Sequence, residues 1–203
     1  GIDKVLGKTR NGLLCLWMVM ARLINQGSRL SAVRLAEEHA ACELLSIDGF
    51  NEEDLYAALD WLSENQDRLE KKLFKKSYGE ATPNMFLYDV TSSYLEGQQN
   101  ELGEWGYNRD KKRGKKQIVI GLLCGDDGFP VSVRVFKGNT TDLQSFSAQI
   151  EKTAHEFGCR QVTMVGDRGM IKSSQIEELG SAGFHYITAI TKPQIRSMLK
   201  KGV

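Results

Sequence analysis

The run "QIVIGLLCGDDGFPVSVRVFKG", residues 117–138, decides how this chain folds. Residues 117–124 are almost all apolar, and residues 131–138 alternate between apolar and polar types. Between them, "DDGFP" places Asp127 and Gly128 where a tight turn needs them. Two strand patterns joined by an Asp-Gly turn predict an antiparallel hairpin.

The pattern extends on both sides. Upstream, "MFLYDVTSSYL" (85–95) reads as a further strand. Downstream, "TDLQSFSAQIEKTAHEFG" (141–158) reads as a helix, with Thr141 near its start and Gly158 near its end. Next come a strand at 160–166, a helix at 173–183 and a strand at 184–190. The order strand, strand, strand, helix, strand, helix, strand predicts a mixed α/β sheet flanked by helices. That is the element order of the RNase H-like fold, and it occupies residues 84–203.

Residues 1–80 read as an all-helical N-terminal segment. One helix spans 11–25, and a second, after Ser31, runs through "AVRLAEEHAACELL". A third, capped by Asn51, continues to Phe74, with acids in its first turn and lysines at its end. The spacing fits a helical packing unit and does not demand a DNA-reading helix.

Composition narrows the function classes. The 203 residues are 41% hydrophobic and 26% charged, so a core is expected. The formal net charge of +1 excludes a uniformly basic protein, and a polyanion would have to meet a local patch. Cys15, Cys42, Cys124 and Cys159 form no CxxC pair, and they read as reduced, mostly buried thiols of a cytoplasmic protein. The apolar run "LLCLWMVMA", Leu13–Ala21, is far short of the ~20 residues of a membrane helix, so no membrane association is expected. The chain starts with Gly and ends in "LKKGV", and it reads as a piece of a longer protein.

Two aspartates stand out by position. Asp89 interrupts an apolar strand in "FLYDVTSSY", and Asp167 follows one directly in "VTMVGDRGM". In open α/β sheets, ligand groups collect at strand ends. If the first and fourth strands are parallel neighbours, the two carboxylates can face one site. Hard oxygen ligands of this kind suit Mg²⁺ (or Mn²⁺) and metal-assisted phosphoryl transfer. The plain alternative for Asp167 is a turn residue before a glycine. Asp89, if buried, would cost free energy unless paired or metal-bound.

The blocks "YDVTSSYLEG", "WGYNRDKKRGKKQIVIGLLCGDDGFPVSVRVFKGNTTD" and "VTMVGDRGM" together resemble the catalytic domain of bacterial insertion-sequence transposases of the DDE type. The resemblance covers about residues 84 to 190. It implies an RNase H-like fold and an enzyme that cleaves and joins transposon ends. It implies that Asp89 and Asp167 are the first two acids of a metal-binding triad using Mg²⁺ or Mn²⁺. It also implies DNA partners, namely terminal inverted repeats and target DNA, and self-association in the DNA complex. The chain departs from the pattern after Asp167. Its only later acids are Glu177 and Glu178, which lie before the fifth strand, too early for the triad's Glu. The expectation is a domain incomplete at its C-terminus and inactive alone. The alternatives are a non-catalytic DNA-binding remnant and a stand-alone RNase H-like nuclease.

The segment "NRDKKRGKKQ" (108–117) adds a basic patch: Arg109, Lys111, Lys112, Arg113, Lys115 and Lys116 against one Asp. Such a loop suits contact with a phosphate backbone, and Trp105 and Tyr107 beside it suit either base stacking or packing. The alternative is a solvated charge run between two strands.

Overall fold

The computed structural model describes residues 1–79, 81–107 and 114–202. The chain divides into two compact units, Gly1–Ser77 and Tyr78–Val203.

The first unit is helical. It contains α1 (Ile2–Leu6), α2 (Arg10–Ile24), α3 (Arg29–Glu38), α4 (Ala41–Leu45), α5 (Glu52–Glu64) and most of α6 (Gln66–Tyr78). Its core gathers Leu14, Trp17, Leu55 and Ala58, all essentially inaccessible to water. Two buried polar groups are satisfied inside it. The Trp17 indole N–H donates to the Ala32 carbonyl at 3.0 Å, and the Cys15 thiol donates to the Ala58 carbonyl at 3.3 Å. Burial pushes the Cys15 thiol up to about 11. Cys159 in the second unit behaves alike, whereas Cys42 and Cys124 are only half-buried.

Two helices expected to be continuous are broken. Ser28, not Ser31, caps α3, accepting from the Ser31 amide, and the chain leaves the helix at His39 before α4 begins. The long helix expected after Asn51 ends at Glu64 and restarts at Gln66. The Asn65 side chain donates to the Trp61 carbonyl at 2.8 Å, offering that oxygen a partner outside the helical ladder. Asn competes with helix geometry in this way. Asn51 forms the expected cap, reinforced by Asp54 in a capping box.

The second unit is built on a five-stranded sheet of order β3-β2-β1-β4-β5. The strands are β1 (Met85–Tyr94), β2 (Gln117–Gly125), β3 (Pro130–Lys137), β4 (Thr163–Val165) and β5 (His185–Ile187). β1, β2 and β3 are antiparallel neighbours, and β4 and β5 run parallel to β1. The hairpin closes at residues 125–130, where Gly128 takes φ 78. Asp127 accepts there from the Phe129 amide and the Tyr78 hydroxyl, which hold its carboxyl below the usual range. α7 (Asp142–His155) links β3 to β4, and α8 (Ser173–Ser181) links β4 to β5. Thr141 caps α7 in a capping box with Gln144. This topology is the RNase H-like fold.

β4 and β5 hold three residues each, shorter than their apolar runs suggest. A further helix, α9 (Lys192–Lys200), lies in a tail that gives few apolar cues. Its signal is the Thr191/Gln194 capping box with Pro193 in the first turn. Among the described residues, no helix is long and apolar enough to cross a membrane.

The two sheet faces differ. Phe86, Tyr88, Val90, Val119, Leu123 and Met164 are buried on one side, where the Tyr88 and Phe146 rings meet at 5.8 Å. On the other side Leu122, Val133 and Val135 are exposed, Val135 by 47%. Gly121 explains how Tyr88 fits the covered face, since a Cβ there would overlap the Tyr88 hydroxyl. Gly121→Ala therefore forces the ring off its seat against Phe146. The expected loss is about 1–3 kcal/mol, read as a lower urea midpoint with an unchanged slope. An unaltered midpoint would contradict this packing.

Candidate functional site

Strand pairing puts the segments that carry the two aspartates side by side. β1 and β4 are parallel neighbours with Leu87 opposite Val165. Two residues further along each chain segment stand Asp89 and Asp167. Asp89 is still within β1, whereas Asp167 stands in the turn that follows the carboxyl end of the short β4. Asp89 is exposed on the uncovered face of the sheet, together with Leu87 and Thr91. The desolvation argument for Asp89 does not apply, because its strand is buried only on the opposite, Phe86–Tyr88–Val90 side.

Each carboxylate has one oxygen tied to the backbone. Asp89 Oδ1 accepts from the Val90 amide at 2.8 Å, and Asp167 Oδ1 accepts from the Arg168 amide at 2.6 Å. The Asp167 carbonyl accepts from the Met170 amide at 2.9 Å, so this residue is also a turn former. The turn is anchored from below by buried Met170 and Ile171. Gly166 leads into it with no spare room, since a Cβ would stand 3.0 Å from the Phe146 ring. Turn and ligand readings of Asp167 are thus compatible, because the turn fixes where the carboxylate sits.

The two exposed carboxylates, on neighbouring parallel elements and open to water, are a donor set that fits a hard divalent cation. Among the described residues, no group of three His, Cys, Asp or Glu side chains is arranged to hold a metal ion. Glu177 and Glu178 lie on α8 and line a groove with α7 residues Glu151 and His155. They do not supply the missing acid.

Arg109, Lys111, Lys112 and Arg113 lie outside the described residues. Lys115 and Lys116 are described and stand half-buried before β2. Lys115 forms an ion pair with exposed Glu96, and Lys116 accepts the Leu95 amide at its carbonyl. Trp105 and Tyr107 are not packing residues, being 60% and 80% exposed.

Sequence reasoning missed the anchor of this region. Gln117 is 2% exposed, and its side-chain amide donates to the Tyr107 carbonyl at 3.1 Å and the Gly138 carbonyl at 2.8 Å. Its backbone pairs with Glu104 in both directions. A Cβ on Gly106 would collide with the Gly138 carbonyl, and one on Gly138 with the Gln117 carbonyl. The paired glycines in "WGY" and "FKGN" were the available clue. Beside this knot a cavity of about 340 Å³ opens, lined among others by Tyr107, Asn139, Thr140, Gly169 and Lys172.

The family described as "Transposase DDE domain" matches residues 80–202. No curated protein matches the chain. Among solved structures, the chain is similar to the Mos1 transposase in a paired-end complex with the left transposon end. That likeness has 6% identity and a TM-score of 0.36, covering 93% of this chain and 70% of that one. It is also similar to the piggyBac transposase in a synaptic complex with hairpin DNA, at 12% identity and a TM-score of 0.44, covering 91% and 42%. A third likeness, to a simian T-cell lymphotropic virus intasome bound to PP2A regulatory subunit B56 gamma, has 12% identity and a TM-score of 0.34. The chain covers 49% of that structure's chain, and 76% of this chain is aligned. With the family match spanning more than half of the sequence, and both aspartates inside it, the chain belongs to the transposase DDE domain family.

Proposed function

We propose that this chain supplies the core of a DNA transposase that cleaves and joins transposon ends by metal-dependent phosphoryl transfer, with Asp89 and Asp167 as metal ligands. The observation that supports the reading is the parallel pairing of β1 with β4, with Asp89 two residues after Leu87 and Asp167 two residues after its partner Val165. A bound Mg²⁺ or Mn²⁺ would lower the pKa of an attacking water and neutralise charge at phosphorus. The protein's part is positional. β1 fixes Asp89 through its paired neighbours, and the Met170–Ile171 anchor fixes Asp167. In the first step, water oxygen bonds to phosphorus and the phosphorus–O3′ bond breaks, freeing a 3′-OH. In the second, that 3′ oxygen bonds to a target phosphorus and displaces the target's own 3′ oxygen. The partners are transposon terminal repeats and target DNA, with subunits self-associating on the DNA in the cytoplasm.

A second reading, a DNA-binding remnant without catalysis, is favoured by one observation: among the described residues, no three His, Cys, Asp or Glu side chains are grouped to hold a metal ion. Both readings keep DNA binding and differ at the metal. With Mn²⁺ at about tenfold its Kd, a single site should stabilise the fold by about 1.4 kcal/mol, a rise in melting temperature of about 3–6 °C. Asp89→Asn and Asp167→Asn should each abolish the rise. A wild-type chain with no rise would overturn the metal reading and leave the remnant.

The basic segment gives a separate test. Replacing Lys111, Lys112 and Arg113 by Ala should weaken DNA binding and reduce the slope of log affinity against log salt by about 3. A slope equal to wild type would remove the segment from the interface.

A further inference from the structure

We propose that α9 of one copy docks, through its exposed apolar stripe, into the groove between α7 and α8 of a second copy. The contact uses neither aspartate and needs no DNA, so it stands apart from the transposase reading.

α9 is a helix without a covered face. Thr191 and Gln194 cap it and Pro193 sits in its first turn, so the segment is built to be helical. Yet it buries no residue. Ile195, Met198 and Leu199 are all exposed, Leu199 by 69%. Their spacing of i, i+3 and i+4 puts them on one face, as the anchors of a helix that lies in a groove. Lys192, Arg196 and Lys200, each four apart, form a row of cations beside that stripe, and the helix carries no acid.

The groove offers the opposite pattern. Its volume of about 950 Å³ lies between α7 and α8. Ile150, Ala154 and Cys159 give it an apolar floor, and Glu151, Glu177 and Glu178 stand exposed along its rims. Arg160 is a cation on the same lining. Among the described residues, none of the three glutamates is in an ion pair.

Charge chooses the occupant. A row of cations beside an apolar stripe complements carboxylates beside an apolar floor, and this chain carries both. A phosphate backbone would use the cations and leave the stripe in water. α9 does not line its own groove. It follows the carboxyl end of β5 on a connection of residues 188–191, whereas Gly183 on the groove precedes the amino end of that strand. A second copy supplies the helix, and mutual exchange about a two-fold axis closes the pair. The apolar anchors give such a contact its affinity, and the facing charges fix its orientation and partner.

The test is sedimentation of the full chain without DNA, read as mass and dissociation constant. Wild type should form dimers at micromolar concentration that dissociate as salt is raised. Arg196→Glu with Lys200→Glu, and separately Glu177→Lys with Glu178→Lys, should each raise the dissociation constant by about tenfold or more. All four side chains are exposed, so neither change touches the core. Combining the two pairs in one chain should restore the wild-type dimer. Leu199→Ala should weaken the dimer and leave its dependence on salt unchanged. A monomeric wild type, or dimers that both charge pairs leave intact, overturns the proposal, and so does a four-site variant that stays monomeric. Loss of DNA affinity in the α9 variants with the dimer intact assigns the cations to DNA and overturns it too. None of these outcomes bears on the Mn²⁺ test of Asp89 and Asp167.

Discussion

Three backbone pairs, Met85 with Thr163, Phe86 with Met164 and Leu87 with Val165, are the constraint on which the rest of the second unit depends. They make β1 and β4 parallel, and a parallel pair cannot be joined by a tight turn. The connection must cross over, and α7 makes most of that crossing. Phe146 on α7 fills the space between the Tyr88 ring and the Gly166 backbone. The same helix therefore closes the core and presses the Asp167 turn into place. Strand pairing, helix packing and carboxylate placement are one arrangement seen from three sides.

The parts of this fold that announce themselves in sequence are those governed by local chemistry. The alternation in 131–138, the Asp127–Gly128 turn, and the Thr141 and Asn51 caps are all set by near neighbours, and all are present. The places where expectation and structure part involve competition between local and distant partners. Nothing periodic marks Asn65 as a break, where the side-chain amide and the backbone amide both donate to the Trp61 carbonyl. β4 and β5 look longer in sequence because their flanks are apolar for packing reasons, as buried Val162 and Phe184 illustrate.

The site divides in the same way. Asp89 and Asp167 were visible as acids at strand positions, and the parallel pairing of their strands was already the condition for one shared site. Burial was a further expectation for Asp89, whereas the structure leaves it exposed; the expected parallel pairing of the two strands is present. Gln117 gave no warning, since a glutamine at the head of an apolar strand reads as an ordinary strand start. Its role emerges only when residues far apart in the chain, Tyr107 and Gly138, converge on one amide. Long-range hydrogen bonds of this kind leave no periodic trace.

The place of Asp89 on β1 limits how such a chain can vary. Side chains on a strand change face with every residue, so position is counted in whole residues. Leu87 and Asp89 share a face of β1 because one residue separates them. Loss or gain of a single codon between Leu87 and Asp89 would turn that carboxylate to the covered side, where the buried Tyr88 packs against Phe146. Replacing the intervening Tyr88 by another aromatic changes volume, while deleting it changes parity. Drift in this region should therefore tolerate exchange of residue type far better than any change of length.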